Sequence, residues 1–515
     1  MDKKKQSSPL QIARRAVLLL FSLFLIFPAS HARAVLPVTG VDVPELAIFD
    51  LEMQNYMAQH GIQAGVLAVS YNGCVIYQRG FGYAFNQSDP LPENTPMRIA
   101  SVEKPLTAAV IRELAAEGQL NLTDFVFDVG QGGTRKKWLD ASTSASPYWP
   151  YDGVLGDSRL GDIQVIDLLL HHGGWDIEEL DGDVDITLPS NQTSFDPQFE
   201  NVRIANKMDV PSPPGRVNTV RYMMSQPLQF DPGSPDPACD RDANGVCLET
   251  PAPCTCTNYS NFGYMLLGLI VEQITGLTVD ESIRQRILRS EIWVPSTEVI
   301  YGRTFRTDQN IREPLYRTQY GCQNVFDPNG FHVSCPYGGW DHESMAGHGN
   351  LVVSAAPLLA YLDRYYVAGT SIGSPIIPTS TYGWSHTGGL TGTSTIASQR
   401  SDDFNVVVLF SERDESGNGH DFAHEVATNI FGLIDWATGI DWASLACVDG
   451  FWADFNAASS GYGGYNDPFN SMNAVQASTT DGTKLHIKGG STPWSGVLNK
   501  KMLIDARGGN VVIGQ

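Results

Sequence analysis

Positive charge is scarce in this chain. Only 34 Lys and Arg stand against 56 Asp and Glu, for a net charge of -22. A surface of that sign repels nucleic acid and anionic lipid, so neither is expected as a partner. Long apolar runs are equally scarce. The stretch AVLLLFSLFLIF (16–27) stands out, and it is too short to span a bilayer comfortably. Lys3, Lys4, Lys5, Arg14 and Arg15 precede or flank it, and the small residues of ASHARA (29–34) follow. Residues 1–34 therefore read as a signal peptide, cleaved after Ala32 or Ala34, with an uncleaved anchor as the alternative. Cleavage would remove six positive side chains and one Asp, leaving -27. The expectation is an exported protein, periplasmic or secreted, with no stable membrane insertion. Charged residues make up 17% and hydrophobic residues 42% of the chain, a globular balance rather than a disordered one. Its length accommodates roughly two to four domains.

Cysteine is sparse too, at eight residues, but it is unevenly placed. Cys239, Cys247, Cys254 and Cys256 crowd into one short segment, where three disulfide pairings are open. Zinc is the competing reading, weakened by the lack of two separated C-x2-C knuckles and by the oxidising compartment that export implies. Cys322 and Cys335 flank a loop with Gly and Pro and are expected to pair. Cys74 and Cys447 either pair or stay free.

Residues 45–62 carry helical periodicity. GVLAVSY (65–71) and CVIYQRGFGYA (74–84) read as strands joined by Asn72-Gly73, a strong hairpin signal. Helices are expected after Ser101 up to Gly118, over 163–174, over 261–276, over 351–366 and over 420–437. FNVVVLFS (404–411) reads as a buried strand, and 175–235 as a long irregular excursion. Strands near both ends with helices between them predict an α+β fold: an antiparallel sheet completed by both ends of the domain, flanked by helices, plus a helical subdomain. After about 445 the composition turns Gly- and Asn-rich. Short alternating strands at 483–490, 500–509 and 510–514 then predict a small C-terminal all-β module over 446–515, either one rung of a parallel β-helix or a hairpin tail.

One local pattern carries chemistry. IASVEKPLTAAV (99–110) holds Ser101 and Lys104 three residues apart at a predicted helix start, which puts both side chains on one face. Serine is too weak an acid to ionise unaided, and a neutral amine or a phenolate beside it can take its proton. By chance a chain of this length shows about two S-x-x-K patterns; here there is one. Alone it is equally well a helix cap followed by a solvated lysine. Downstream, however, NYSNFGYMLLG (258–268) places Tyr259-Ser260-Asn261 before an apolar helix, and WSHTGGLTG (384–392) places His386-Thr387-Gly388-Gly389 ahead of the late strand.

In that order, SVEK, YSN and HTGG resemble the three motifs of the serine β-lactamase-related family, which includes class C β-lactamases, D-Ala-D-Ala carboxypeptidases, D-aminopeptidases and family VIII esterases. LLLHHGG, LQFDPG and AGHGNLVVSA are similar as well. The resemblance covers 45–437 and implies a β-lactamase/transpeptidase-like fold that requires no cofactor. It also implies catalytic roles. Ser101 would be the acyl-accepting nucleophile. Tyr259 would be its general base and the acid for the leaving group, and Lys104 would keep their protons poised. Asn261 would bond Lys104 or the substrate amide. His386, Thr387, Gly388 and Gly389 would line the substrate side, with the amides of Ser101 and Gly389 as oxyanion hole. His171 and His172 read as packing, and Trp384 as pocket floor or core.

Two departures are informative. Many β-lactamases carry Lys where this chain has His386, so carboxylate recognition is expected to be weaker or pH-dependent, with Arg400 as a substitute source of charge. PDPACDRDANGVCLETPAPCTCT (235–257) is an acidic Cys-rich insertion. Asp240, Asp242, Asn244 and Glu249 in it are candidate ligands of a structural calcium, although Pro251 stands where an EF-hand would place its Glu; a disulfide-stapled acidic loop is the competing reading. The expected activity is that of an exported serine hydrolase acting through an acyl-enzyme on a small-molecule carboxylic ester or a D-amino-acid amide or peptide. True β-lactam hydrolysis ranks third. A catalytically silent surface protein that binds peptidoglycan or polysaccharide is the rival from another class.

Overall fold

Asn72 and Gly73 both adopt positive φ, at 50° and 73°, the conformation of a two-residue turn whose twist matches the strands it joins. That hairpin seeds the central sheet. The computed structural model describes residues 36–177, 186–187, 195–234, 258–288, 296–367, 369, 385–445, 447–461, 468–479 and 483–514. Strands β1 (Val38–Thr39), β2 (Ala64–Tyr71), β3 (Cys74–Gly82), β4 (Ser385–Leu390), β5 (Thr393–Gln399) and β6 (Phe404–Phe410) form a six-stranded sheet in the order β1-β3-β2-β6-β5-β4. Every pairing in it is antiparallel. The register Val408↔Leu67 joins the late strand to the early hairpin, so segments from both ends complete one sheet, as expected.

Helices α1 (Ala47–His60) and α5 (Phe422–Trp436) pack together, with α5 lying on β5 and β6. Helices α2 (Glu103–Ala116), α3 (Asn261–Thr275) and α4 (Ala355–Leu362) share the main apolar core. There Val66, Ala68, Val407 and Leu409 of the sheet meet Leu106 and Val110 of α2, Leu266 and Ile270 of α3, and Leu358 of α4. Helix α3 is buried at every position from Asn261 to Val271, which explains an apolar run without an amphipathic stripe.

Two expected elements resolve differently. The helix read over 351–366 is a strand, Leu351–Val353, followed by α4. The β-branched pair Val352-Val353 lies between the short strands Met97–Arg98 and Val299–Tyr301, and Ser354 then turns the chain into the helix with extended φ and ψ. The excursion 175–235 contains two short helices, Asn201–Met208 and Gly215–Met223. Their polar faces hid the period.

The C-terminal strands β7 (Phe451–Ala453), β8 (Thr483–Thr492) and β9 (Met502–Ile513) pair in parallel. Parallel neighbours need a crossover longer than a tight turn, so the tail is not a hairpin. Nor is it all-β: the helix Met472–Ser478 closes a small core of Ala453, Phe469, Met472, Val475, Leu485 and Ile487. Cys74 at the start of β3 is disulfide-bonded to Cys447, and Cys322 to Cys335. The other four cysteines and the insertion 235–257 lie outside the described residues, as does the signal segment 1–34. Residues 37–515 fall in one compact unit. No single helix among the described residues is long and apolar enough to cross a membrane.

Candidate active site

Ser101 follows a strained residue. Ala100 has φ of 47°, a left-handed conformation that costs a non-glycine residue about 1–2 kcal/mol. The surroundings hold it there. Ile99 N–H donates to Leu351 O at 3.1 Å, and Thr395 Oγ1 donates to Ile99 O at 2.9 Å. Gly388 of β4 lies so close that a Cβ on it would fall 2.2 Å from Ile99 O and 3.1 Å from Ser101 N. The kink ends in a 3-10 turn, Ala100–Val102, that runs directly into α2. Pro105 occupies the first turn, where its missing N–H is harmless.

Lys104 is fully buried, and its Nζ has three neighbours. Ser101 Oγ is 3.0 Å away, Asn261 Oδ1 2.6 Å and the main-chain oxygen of His348 3.0 Å. Burial pushes its pKa down to about 7, against an opposing pull from Asp196 and Glu103. Asn261 is oriented from its other end, since its Nδ2 donates to Asp196 Oδ2 at 2.6 Å. Ser260 rather than Asn261 caps α3, accepting from Gly263 N at 3.0 Å, which leaves the Asn261 amide for Lys104.

Glu103, also fully buried, anchors the facing segment. Its two carboxylate oxygens accept from Gly347 N at 2.6 Å and Leu351 N at 2.9 Å, and that segment carries the His348 carbonyl to Lys104. Burial pushes the Glu103 carboxyl up to about 7. Tyr259 places its ring 4.7 Å from Lys104 Nζ and stacks on His171 at 4.9 Å. His171 Nδ1 accepts from Ser260 N at 3.0 Å, so in the neutral ring its proton sits on Nε2. Read from the sequence as packing, His171 is the platform beneath the tyrosine.

On β4 the side chains alternate. His386 and Gly388 point inward, while Thr387 is half-buried and Gly389 exposed. A Cβ on Gly389 would meet nothing. Gly388 thus lets the strand approach Ser101, and Gly389 leaves the cleft open above it. His386 is buried with its pKa pushed down to about 3, by burial first and by Lys104 second. Burial thus disfavours its charged imidazolium form. Arg400 is engaged elsewhere, with Asp402 at 2.6 Å and Asp435 at 2.8 Å.

The calcium candidates Asp240, Asp242, Asn244 and Glu249 lie outside the described residues, as does Trp384. Among the described residues, Cys447, Asp449 and His486 bring ligand atoms within 4.8 Å of one another. Cys447 is spent in a disulfide and Lys484 Nζ stands 2.7 Å from Asp449, so the trio does not fit a metal ion. The structure therefore brings Ser101, Asn261 and the Tyr259 ring around Lys104 Nζ, with Gly388 packed against the Ser101 backbone and His386 near enough to sense the lysine charge. Sequence reasoning missed Glu103, which was visible inside SVEK but carries no motif weight. It also missed Asp196, which no spacing links to Asn261.

A family profile described as Beta-lactamase matches residues 49–421, more than half of the chain. A protein from Salmonella enteritidis named as a putative D-alanyl-D-alanine carboxypeptidase is 23% identical over 281 residues, covering 53% of each chain. The chain thus spans about half the length of the relatives it matches. Among solved structures, an octameric penicillin-binding protein homologue from Pyrococcus abyssi aligns at 18% identity over 76% of this chain and 77% of that one, with a TM-score of 0.47. A D-amino acid amidase from Ochrobactrum anthropi aligns at 14% identity over 75% and 99%, with a TM-score of 0.44. On the strength of the profile match across its sheet and helices, this chain belongs to the serine β-lactamase-related family of hydrolases.

Proposed function

We propose that the protein is an exported serine hydrolase that forms an acyl-enzyme on Ser101 with a carboxylic ester or a D-amino-acid amide or peptide. One observation carries the reading. Of the three neighbours of Lys104 Nζ, His348 O is a carbonyl and Asn261 Oδ1 is fixed as an acceptor by the bond from Nδ2 to Asp196. Neither can donate. In its neutral form a lysine amine has two N–H bonds and one lone pair; with both bonds given to these acceptors, the lone pair would be left for Ser101 Oγ. Burial supports that neutral form near pH 7.

In this reading Lys104 takes the Ser101 proton as Oγ attacks the carbonyl carbon, a task the motif pattern alone gave to Tyr259. The Tyr259 phenol, beside the newly charged ammonium, relays the proton to the leaving group. The amides of Ser101 and Gly389 stabilise the oxyanion, each worth about 3 kcal/mol. Water then repeats the sequence on the acyl-enzyme. Neutral His386 offers no fixed charge to a substrate carboxylate, which favours esters and amides over carboxylate-bearing β-lactams. The two disulfides support export. Labelling with a fluorophosphonate tests the assignment: wild type should be labelled and Ser101→Ala should not, and equal labelling would refute it.

A further inference from the structure

We infer that Glu103 is a positioning residue for the general base: its carboxylate gathers the main-chain N–H groups of the 347–351 turn so that the His348 carbonyl takes one Lys104 hydrogen, and its charge, next in the chain to the lysine, sets the pH at which that base becomes available. The inference rests on the hydrolase reading above and adds a residue to which the motif pattern gives no role.

One face of α2 builds the contact. Glu103 and Thr107 are one helical turn apart, and Gly347 meets both. Its N–H donates to Glu103 Oε1 at 2.6 Å, and its oxygen accepts from Thr107 Oγ1 at 2.9 Å. Leu351 is gripped the same way. Its N–H donates to Glu103 Oε2 at 2.9 Å, and its oxygen accepts from Ile99 N at 3.1 Å. The Asn350 N–H also reaches the carboxylate. Between these two grips stands His348, whose oxygen accepts from Lys104 Nζ at 3.0 Å. Glu103 is fully buried. An apolar side chain would fill the same volume but strand the N–H groups that converge there.

Both Glu103 oxygens accept from N–H groups, which suits the ionised carboxylate; protonation would turn one oxygen into a donor facing a donor. Burial opposes that charge, while the amide bonds and Lys104 favour it. Tyr301 also faces Glu103, and burial keeps its phenol protonated. Facing Lys104 are Asp196, His171, His348, His386 and the rings of Tyr259 and Tyr264. Burial disfavours the charged form of all three histidines. The anions that favour the ammonium form of Lys104 are Asp196 and Glu103. Asp196 reaches it across the Asn261 amide, whereas Glu103 also fixes the carbonyl that the lysine holds. Removing the Glu103 charge, or the acceptor it presents, disfavours the ammonium, so Lys104 gives up its proton at lower pH.

The test is the pH profile of kcat/KM, with kcat and KM separated, on a neutral p-nitrophenyl ester. Three variants are compared with wild type. Glu103→Gln keeps the volume, removes the charge and turns one acceptor into a donor. It should lower kcat roughly tenfold and move the acid limb down by about one pH unit, with KM unchanged. Glu103→Asp keeps the charge on a shorter arm, and should lose kcat while its acid limb stays with wild type. Thr107→Val loosens the same turn without touching a charge, and should lower kcat roughly threefold at every pH. An acid limb that stays put or rises in Glu103→Gln overturns the inference, because a merely structural carboxylate leaves the base unaltered. If Glu103→Gln does not fold, the other two decide: a lowered acid limb in Glu103→Asp, or wild-type kcat in Thr107→Val, overturns it. Absence of turnover in wild type together with absence of fluorophosphonate labelling at Ser101 instead overturns the hydrolase reading.

Discussion

Asn261 holds Lys104 with its oxygen and Asp196 with its nitrogen, at 2.6 Å on both sides. The amide works as an electrically neutral spacer between an amine and a carboxylate. Asn261→Asp would place a negative charge directly on Lys104, and an opposite charge at that range raises a lysine pKa by about 1–3 units. The acid limb of kcat/KM should move upward by at least one pH unit. Asn261→Ala should lower kcat/KM by roughly tenfold to a hundredfold, the worth of a hydrogen bond to a charged group. A pH–rate profile of each variant checks both.

The wild-type profile follows from the same lysine. With a pKa near 7, the base form is lost as pH falls below 7, so kcat/KM on a neutral ester should fall tenfold per unit there and level off above. His386, pushed down to about 3, does not titrate between pH 5 and 8. The ratio of activity on carboxylate-bearing to neutral esters should stay flat across that range. A ratio that climbs toward pH 6 would contradict the buried, neutral histidine.

Gly388 and Gly389 separate strand docking from substrate access. A Cβ at Gly388 meets Ile99 O at 2.2 Å, so Gly388→Ala should lower stability by about 1–3 kcal/mol and reduce kcat by pushing β4 from Ser101. Gly389→Ala meets nothing in the free enzyme. Its melting temperature should match wild type while KM rises. Thermal melts and steady-state kinetics distinguish the two.

The Cys322–Cys335 disulfide packs in one cluster with Ala100, the strained residue before Ser101, and with Trp340, Met345 and Leu390. A bridge closing a loop of this size contributes about 3 kcal/mol. Replacing both cysteines with Ser should lower the melting temperature and also kcat, because Ala100 loses part of its support. Unchanged kcat would show that the bridge only staples the loop.

The motifs were legible because each is local. Ser101 and Lys104 sit one turn apart, Tyr259 and Asn261 flank a helix cap, and Gly388-Gly389 needs no side chain at all. The hairpin was legible because Asn-Gly reports backbone conformation directly. What stayed hidden is non-local. Asp196 meets Asn261 across 65 residues, and Glu103 meets Leu351 across 248, with no periodicity to link them. Burial was hidden for the same reason: nothing in HTGG says that His386 is enclosed and neutral. The strand Leu351–Val353 reads as part of a helix because an apolar run of that length fits both periods.

The sulfur bridge from Cys74 to Cys447 has a mechanical consequence. It ties the start of the parallel tail to the rim of the central sheet, 373 residues away along the chain. Tension applied to the tail would be borne by that covalent strut and delivered to the hairpin, bypassing the peptide segment after α5. A protease cutting that segment would leave two pieces still joined, parted only once a reductant is added.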